Sequence, residues 1–107
     1  MKKKRIGDYN MDTYTIDYFI KKFEAIPEEK WFTGSLTSIK DPTRHCALGH
    51  CGYVYCCASL ESAYLSSLFA PHWLEVSEIN DGFDDRFRQR GPKARILAAL
   101  QFIKSKS

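Results

Sequence analysis

The sequence predicts a mainly α-helical domain: a small compact bundle of about four helices with a short extended or hairpin segment near residues 31–41. Three observations carry this expectation. Apolar residues recur at helical spacing in two places, at Ile16, Phe19, Ile20 and Phe23 and again at Ile96, Leu97, Leu100 and Ile103. Pro27, Pro71 and Pro92 stand where helices stop or begin. Between them, WFTGSLTSIKDPTR (residues 31–44) is rich in Thr and Ser and sustains no helical stripe.

Taken in order, the first helix is expected over residues 13–25, with Asp12 or Thr13 as its N-cap and Pro27 as its stop. Pro27-Glu28-Glu29 reads as a short helical turn, its acids beside the positive end. The Thr/Ser-rich stretch suits one or two extended pieces, with a hairpin around Gly34. Residues 45–68 read as mostly helix, broken near Gly52, with Ser59 capping a further helix whose stripe is Leu65, Leu68 and Phe69. Asn80-Asp81-Gly82 reads as a turn capping the segment after it, followed by the charged loop FDDRFRQRG. Gly91-Pro92 opens the last helix, and Lys104 and Lys106 favour its negative end.

With 107 residues, the chain has the length of one domain, and its apolar fraction of 44% is enough to build a core. Residues 1–10 are expected to form a flexible basic segment and residues 11–105 a single globular domain. The basic start MKKKR runs into IGDYNMDTYTID, so no secretory leader is expected, and no apolar run is long enough for a membrane span. A cytoplasmic location follows as the expectation, with thiols reduced. The net charge of +3 is unevenly spread: Lys2, Lys3, Lys4 and Arg5 form one basic run, and Arg86, Arg88, Arg90, Lys93 and Arg95 a second.

Thirteen positions, HCALGHCGYVYCC, hold His45, Cys46, His50, Cys51, Cys56 and Cys57, which is every cysteine and all but one histidine. Two chemistries use such residues. A zinc site needs four ligands, and Cys46 and His50 at i, i+4, joined by Cys56 or Cys57 and by His72, could supply them; no CxxC pair is present to nucleate it. A cysteine-dependent hydrolase or transferase needs an activated thiolate. Cys46 at a helix start, with His45, His50 or His72 as base and Asn80 or Asp81 orienting the imidazole, offers that set. The bland alternative is a buried segment whose cysteines act as small apolar side chains. Neither zinc nor any other cofactor is therefore expected, and catalysis is the second reading. Asn80 to Asp85 places oxygens at intervals but lacks the glycine and distal glutamate of a calcium loop.

A different pattern points to binding. Phe83 and Phe87 alternate with Arg86, Arg88 and Arg90, with Lys93 close by. Aromatic rings stack and guanidinium groups clamp anions, so this loop is where a phosphate-bearing small ligand, a nucleotide or an acidic protein would be met. Nucleic acid is a weaker expectation.

Trp31-Phe32-Thr33-Gly34, Cys46-Ala47-Leu48-Gly49 and Ile79-Asn80-Asp81 before a final amphipathic helix form a layout covering about residues 15–104. It resembles that of a family of small, uncharacterised bacterial and phage proteins with the pattern W-x-x-G … CALG … ND. This chain departs from it at His50-Cys51-Gly52 and in having Ile79 where tryptophan often stands. The resemblance implies a layout and not a mechanism. It singles out Cys46, Gly49, Asn80 and Asp81 as structural positions, Asn80 or Asp81 satisfying the open N–H groups at a helix start with Cys46 packed behind. Together these readings predict a small binding protein without catalytic activity, of the phage type that blocks or sequesters a partner, working in the host cytoplasm.

Overall fold

A computed structural model describes residues 13–54 and 57–106. The first helix, α1 (Ile16–Ala25), starts where Thr15 turns its hydroxyl onto the backbone N–H of Tyr18 at 3.2 Å. This cap lies two to three residues beyond the expected one; Asp12 is outside the described residues. Phe19, Ile20 and Phe23 are buried, as the stripe requires. Ile26 leaves the helix in an extended conformation, as a residue before proline must, and Glu28–Lys30 form one 3-10 turn after Pro27.

Residues 31–46 correct the expected hairpin. No strand forms among the described residues, and Gly34 turns the chain at φ +91° without pairing its flanks to each other. Instead the short piece 44–46 lies between them. His45 donates to Lys30 O (3.0 Å) and accepts from Phe32 N (2.9 Å), while Cys46 N donates to Leu36 O (3.1 Å) and Ser38 N to Arg44 O (3.0 Å). The backbone groups of this polar stretch are thus satisfied by a segment further along the chain.

The expected long helix from His45 is also corrected. Only α2 (Ala47–His50) forms, and the chain then turns at Gly52, φ +91°. Ser59 caps α3 (Leu60–Phe69) in a reciprocal box with Ser62, and its hydroxyl also donates to Cys51 O. Leu65 and Phe69 are fully buried, and a 3-10 turn at Ala70–His72 ends the run.

The turn expected at Asn80 is the end of a helix, α4 (Val76–Asp81), closed by Gly82 at φ +86°. Arg95 completes this closure: its guanidinium donates to Ile79 O (3.0 Å) and Asn80 O (2.7 Å), carbonyls of the helix end, and to Gln89 O (3.0 Å) in the following loop. Last comes α5 (Pro92–Ser105), which buries Ile96, Ala99, Leu100 and Ile103.

The result is a compact, mainly α bundle of five helices among the described residues. Helix α5 is its spine, packed against α1 on one side and α4 on the other. Phe19, Phe23, Trp31, Leu65, Phe69, Ile79, Ile96 and Leu100 form its centre. Each such side chain contributes about 1.5–3 kcal/mol through removal from water. Among the described residues no helix is long and apolar enough to cross a membrane.

Candidate functional site

The three sequence motifs meet at one junction. Asn80 is fully buried. Its Oδ1 accepts from Ala47 N at 3.0 Å, and its Nδ2 donates to Phe32 O and to Asp81 Oδ1, both at 2.9 Å. Asp81 Oδ1 also accepts from Gly34 N at 3.1 Å. One Asn-Asp pair therefore ties the turn after Trp31 to the first residue of α2. Gly49 lies against the same turn: a Cβ there would stand 2.3 Å from Leu36 O. Cys46 is the N-cap of α2, its Sγ accepting weakly from Gly49 N at 3.5 Å. This arrangement uses every polar atom named in it for holding backbone together.

Among the described residues of the Cys/His run, His45 and His50 pack edge-on with ring centroids 5.0 Å apart, and Cys46 and Cys51 are buried. Burial pushes the Cys46 thiol up, opposed in part by the N–H groups of Gly49 and Leu48, whereas the sequence suggested a thiolate favoured by the helix end. A four-residue helix has little dipole to offer, and desolvation wins. Burial likewise raises the Cys51 thiol to about 12. Both stay protonated at neutral pH.

His50 donates through Nε2 to Lys30 O at 2.9 Å and packs edge-on against Trp31; burial lowers its pKa. His45 Nδ1 lies 2.8 Å from Thr37 Oγ1. His72 is on another part of the bundle, against Phe102 of α5. Of the set Cys46, His50, His72 and Asn80, His50 bonds a carbonyl, His72 packs on Phe102 and Asn80 orients a helix start. Among the described residues no three His, Cys, Asp or Glu side chains converge as metal ligands, so Cys46, His50, Cys57 and His72 do not form the tetrahedral set considered above. Cys57 is exposed, and Cys56 lies outside the described residues.

The basic and aromatic loop divides into two parts. Phe87 is buried against Phe102 and belongs to the core, which corrects its place in a stacking surface. Arg86 is exposed but engaged: it bonds Asp84 through contacts of 2.7 and 3.0 Å and Trp73 O at 3.1 Å, and its hydrogen bonds hold the Asp84 carboxyl below the usual range. Lys93 donates to Glu24 O at 3.1 Å, pinning the start of α5 to the end of α1. Outward beside Arg86 stand Phe83 (78% exposed), Arg90, and Arg88 in a loose 3.6 Å pair with Asp85.

Sequence reasoning missed Trp73. It is 90% exposed, and it sits in the left-handed region at φ +58°, the one non-glycine residue there among those described. Its carbonyl is held by Arg86, which ties it to the loop bearing Phe83. The only advance signal was its place two residues after the Pro71 stop. Comparison of the chain with models of protein families, with curated proteins and with solved structures returns no match.

Proposed function

We propose that this chain is a small binding protein without catalytic activity, which engages an acidic face of a partner protein through Trp73, Phe83, Arg88 and Arg90. The observation that carries this reading is Trp73. The left-handed turn at Trp73 ends the Ala70–His72 run, a role that suits glycine or asparagine, whereas a tryptophan there is strained and exposes its indole to water. Tryptophan and arginine are the side chains that dominate protein contacts, and Arg86 fixes Trp73 relative to the loop that carries the rest. Between Phe83 and Arg95 five cations face two acids, which suits an acidic partner. The motif junction belongs, on this reading, to the scaffold, as does the layout shared with the family the chain resembles. The protein acts by occupying its partner, in the manner of a blocking or sequestering factor.

The test is photo-crosslinking from position 83, with benzoylphenylalanine in place of Phe83, in cells producing the full chain. One dominant protein adduct, lost in Arg88→Glu/Arg90→Glu and in Trp73→Asn, supports the proposal. Adducts indifferent to both changes refute it. An adduct to a nucleotide or nucleic acid transfers the site to phosphate recognition.

A further inference from the structure

We propose that a second surface, a groove crossing α2, receives an extended peptide in which apolar and basic side chains alternate. Three cavities lie end to end across this face. The widest, about 610 Å³, opens between Leu36, Ile39 and Val54. It shares Ser35 and Leu36 with a middle cavity of about 210 Å³ at the motif junction, lined also by Cys46 and Asp81. That one shares Leu48 and Ser77 with a third, about 230 Å³, floored by Leu74 and Val76 and edged by Glu75. The shared walls set the three cavities side by side along one face, an arrangement that suits an extended backbone better than one compact ligand.

Its chemistry names the occupant. The wide and middle cavities are mainly apolar and the third is mixed; Ile39 and Val54 are 98% and 56% exposed at the wide end. Among the described residues, the charged side chains lining it are Asp81 and Glu75, both acidic, although the chain as a whole carries +3. Asp81 cannot swing away, because Gly34 N and Asn80 Nδ2 hold one of its oxygens. An extended chain presents successive side chains to opposite sides, so alternation lets apolar groups reach the floor while lysine or arginine meets the carboxylates. The groove shares none of the residues assigned above to the aromatic face, and the inference does not depend on that reading.

The test is a fluorescence-anisotropy titration of the full chain into two labelled hexapeptides, one alternating leucine and lysine, the other leucine and glutamate. The basic peptide is expected to bind about tenfold or more tightly than the acidic one. Ile39→Asp and Glu75→Lys, both at exposed positions, are each expected to weaken it about tenfold with unchanged melting temperature, and Arg88→Glu/Arg90→Glu to leave it intact. Equal binding of the two peptides, or no binding of either, overturns the proposal. So does a concentration-dependent dimer of the free chain that Ile39→Asp abolishes, since the groove would then be an interface between copies.

Discussion

Asn80 Oδ1 accepts the backbone N–H of Ala47 across 33 residues of chain, at 3.0 Å and with no exposure to solvent. The same side chain donates to Phe32 O, so one amide uses its acceptor on the start of α2 and its donor on the turn after Trp31. Removing it leaves a buried donor and a buried acceptor unpaired. Asn80→Ala should therefore destabilise the fold by about 3 kcal/mol, read from urea unfolding. Asn80→Asp keeps the shape and the acceptor but, ionised, loses the donor and sets a second carboxylate beside Asp81. It should be no better at neutral pH, and a variant of near wild-type stability would contradict the bonding described.

Gly49 faces Leu36 O, and that oxygen is already engaged by Cys46 N. A methyl group there must displace backbone rather than the end of a side chain. Gly49→Ala should lose about 3 kcal/mol in chemical denaturation, although alanine is the better helix former.

Trp73 predicts a change in the opposite direction. Asparagine tolerates the left-handed region that tryptophan resists. Trp73→Asn should gain about 1 kcal/mol, raising Tm by roughly 4–8 °C in calorimetry. A loss of stability would show the indole to be a packing element.

His50 gives a pH dependence of definite sign. Burial depresses its folded pKa below the ordinary 6.5, aided by the charges of His45 and Lys22 and opposed by its bond to Lys30 O. The unfolded chain then binds the extra proton first. Stability from this residue is complete above about pH 6.5 and declines as the pH falls toward the folded value. Thermal melts between pH 7.5 and pH 5 (~2.5 units spanning the unfolded value) should show Tm falling on acidification, with a smaller fall in His50→Gln. An unchanged slope would remove His50 as the source.

The thiols should sort by burial. Iodoacetamide at neutral pH followed by peptide mass spectrometry should label Cys57 and spare Cys46 and Cys51 until the chain is unfolded. Fast labelling of Cys46 in the folded protein would revive the nucleophile reading.

Much of the bundle was legible because α1 and α5 carry their own stripes, and a local period needs no knowledge of the rest of the chain. The six residues of α4 carry no such period; Arg95 and the buried Asn80 hold them, through bonds that sequence spacing does not reveal. The run after His45 looked helical by side-chain faces, but the backbone groups of residues 44–46 pair with residues 30–38 instead. Phe87 and Phe83 stand in the same Arg-rich pattern, yet one is buried and the other exposed. The Cys/His run concentrates chemistry in sequence, whereas the fold aims His50 at a carbonyl and places His72 elsewhere. The CALG and Asn-Asp motifs were visible as positions; that they touch follows only from the fold.

The place of α5 as spine bears on how the protein comes into being. Phe19 and Phe23 leave the ribosome well before the helix that packs against them, and α4 cannot be capped before Arg95 exists. Until Ile103 has cleared the exit tunnel, the nascent chain has no complete interior to collapse into. Until α5 packs down, the uncovered phenylalanines of α1 are what a chaperone would hold.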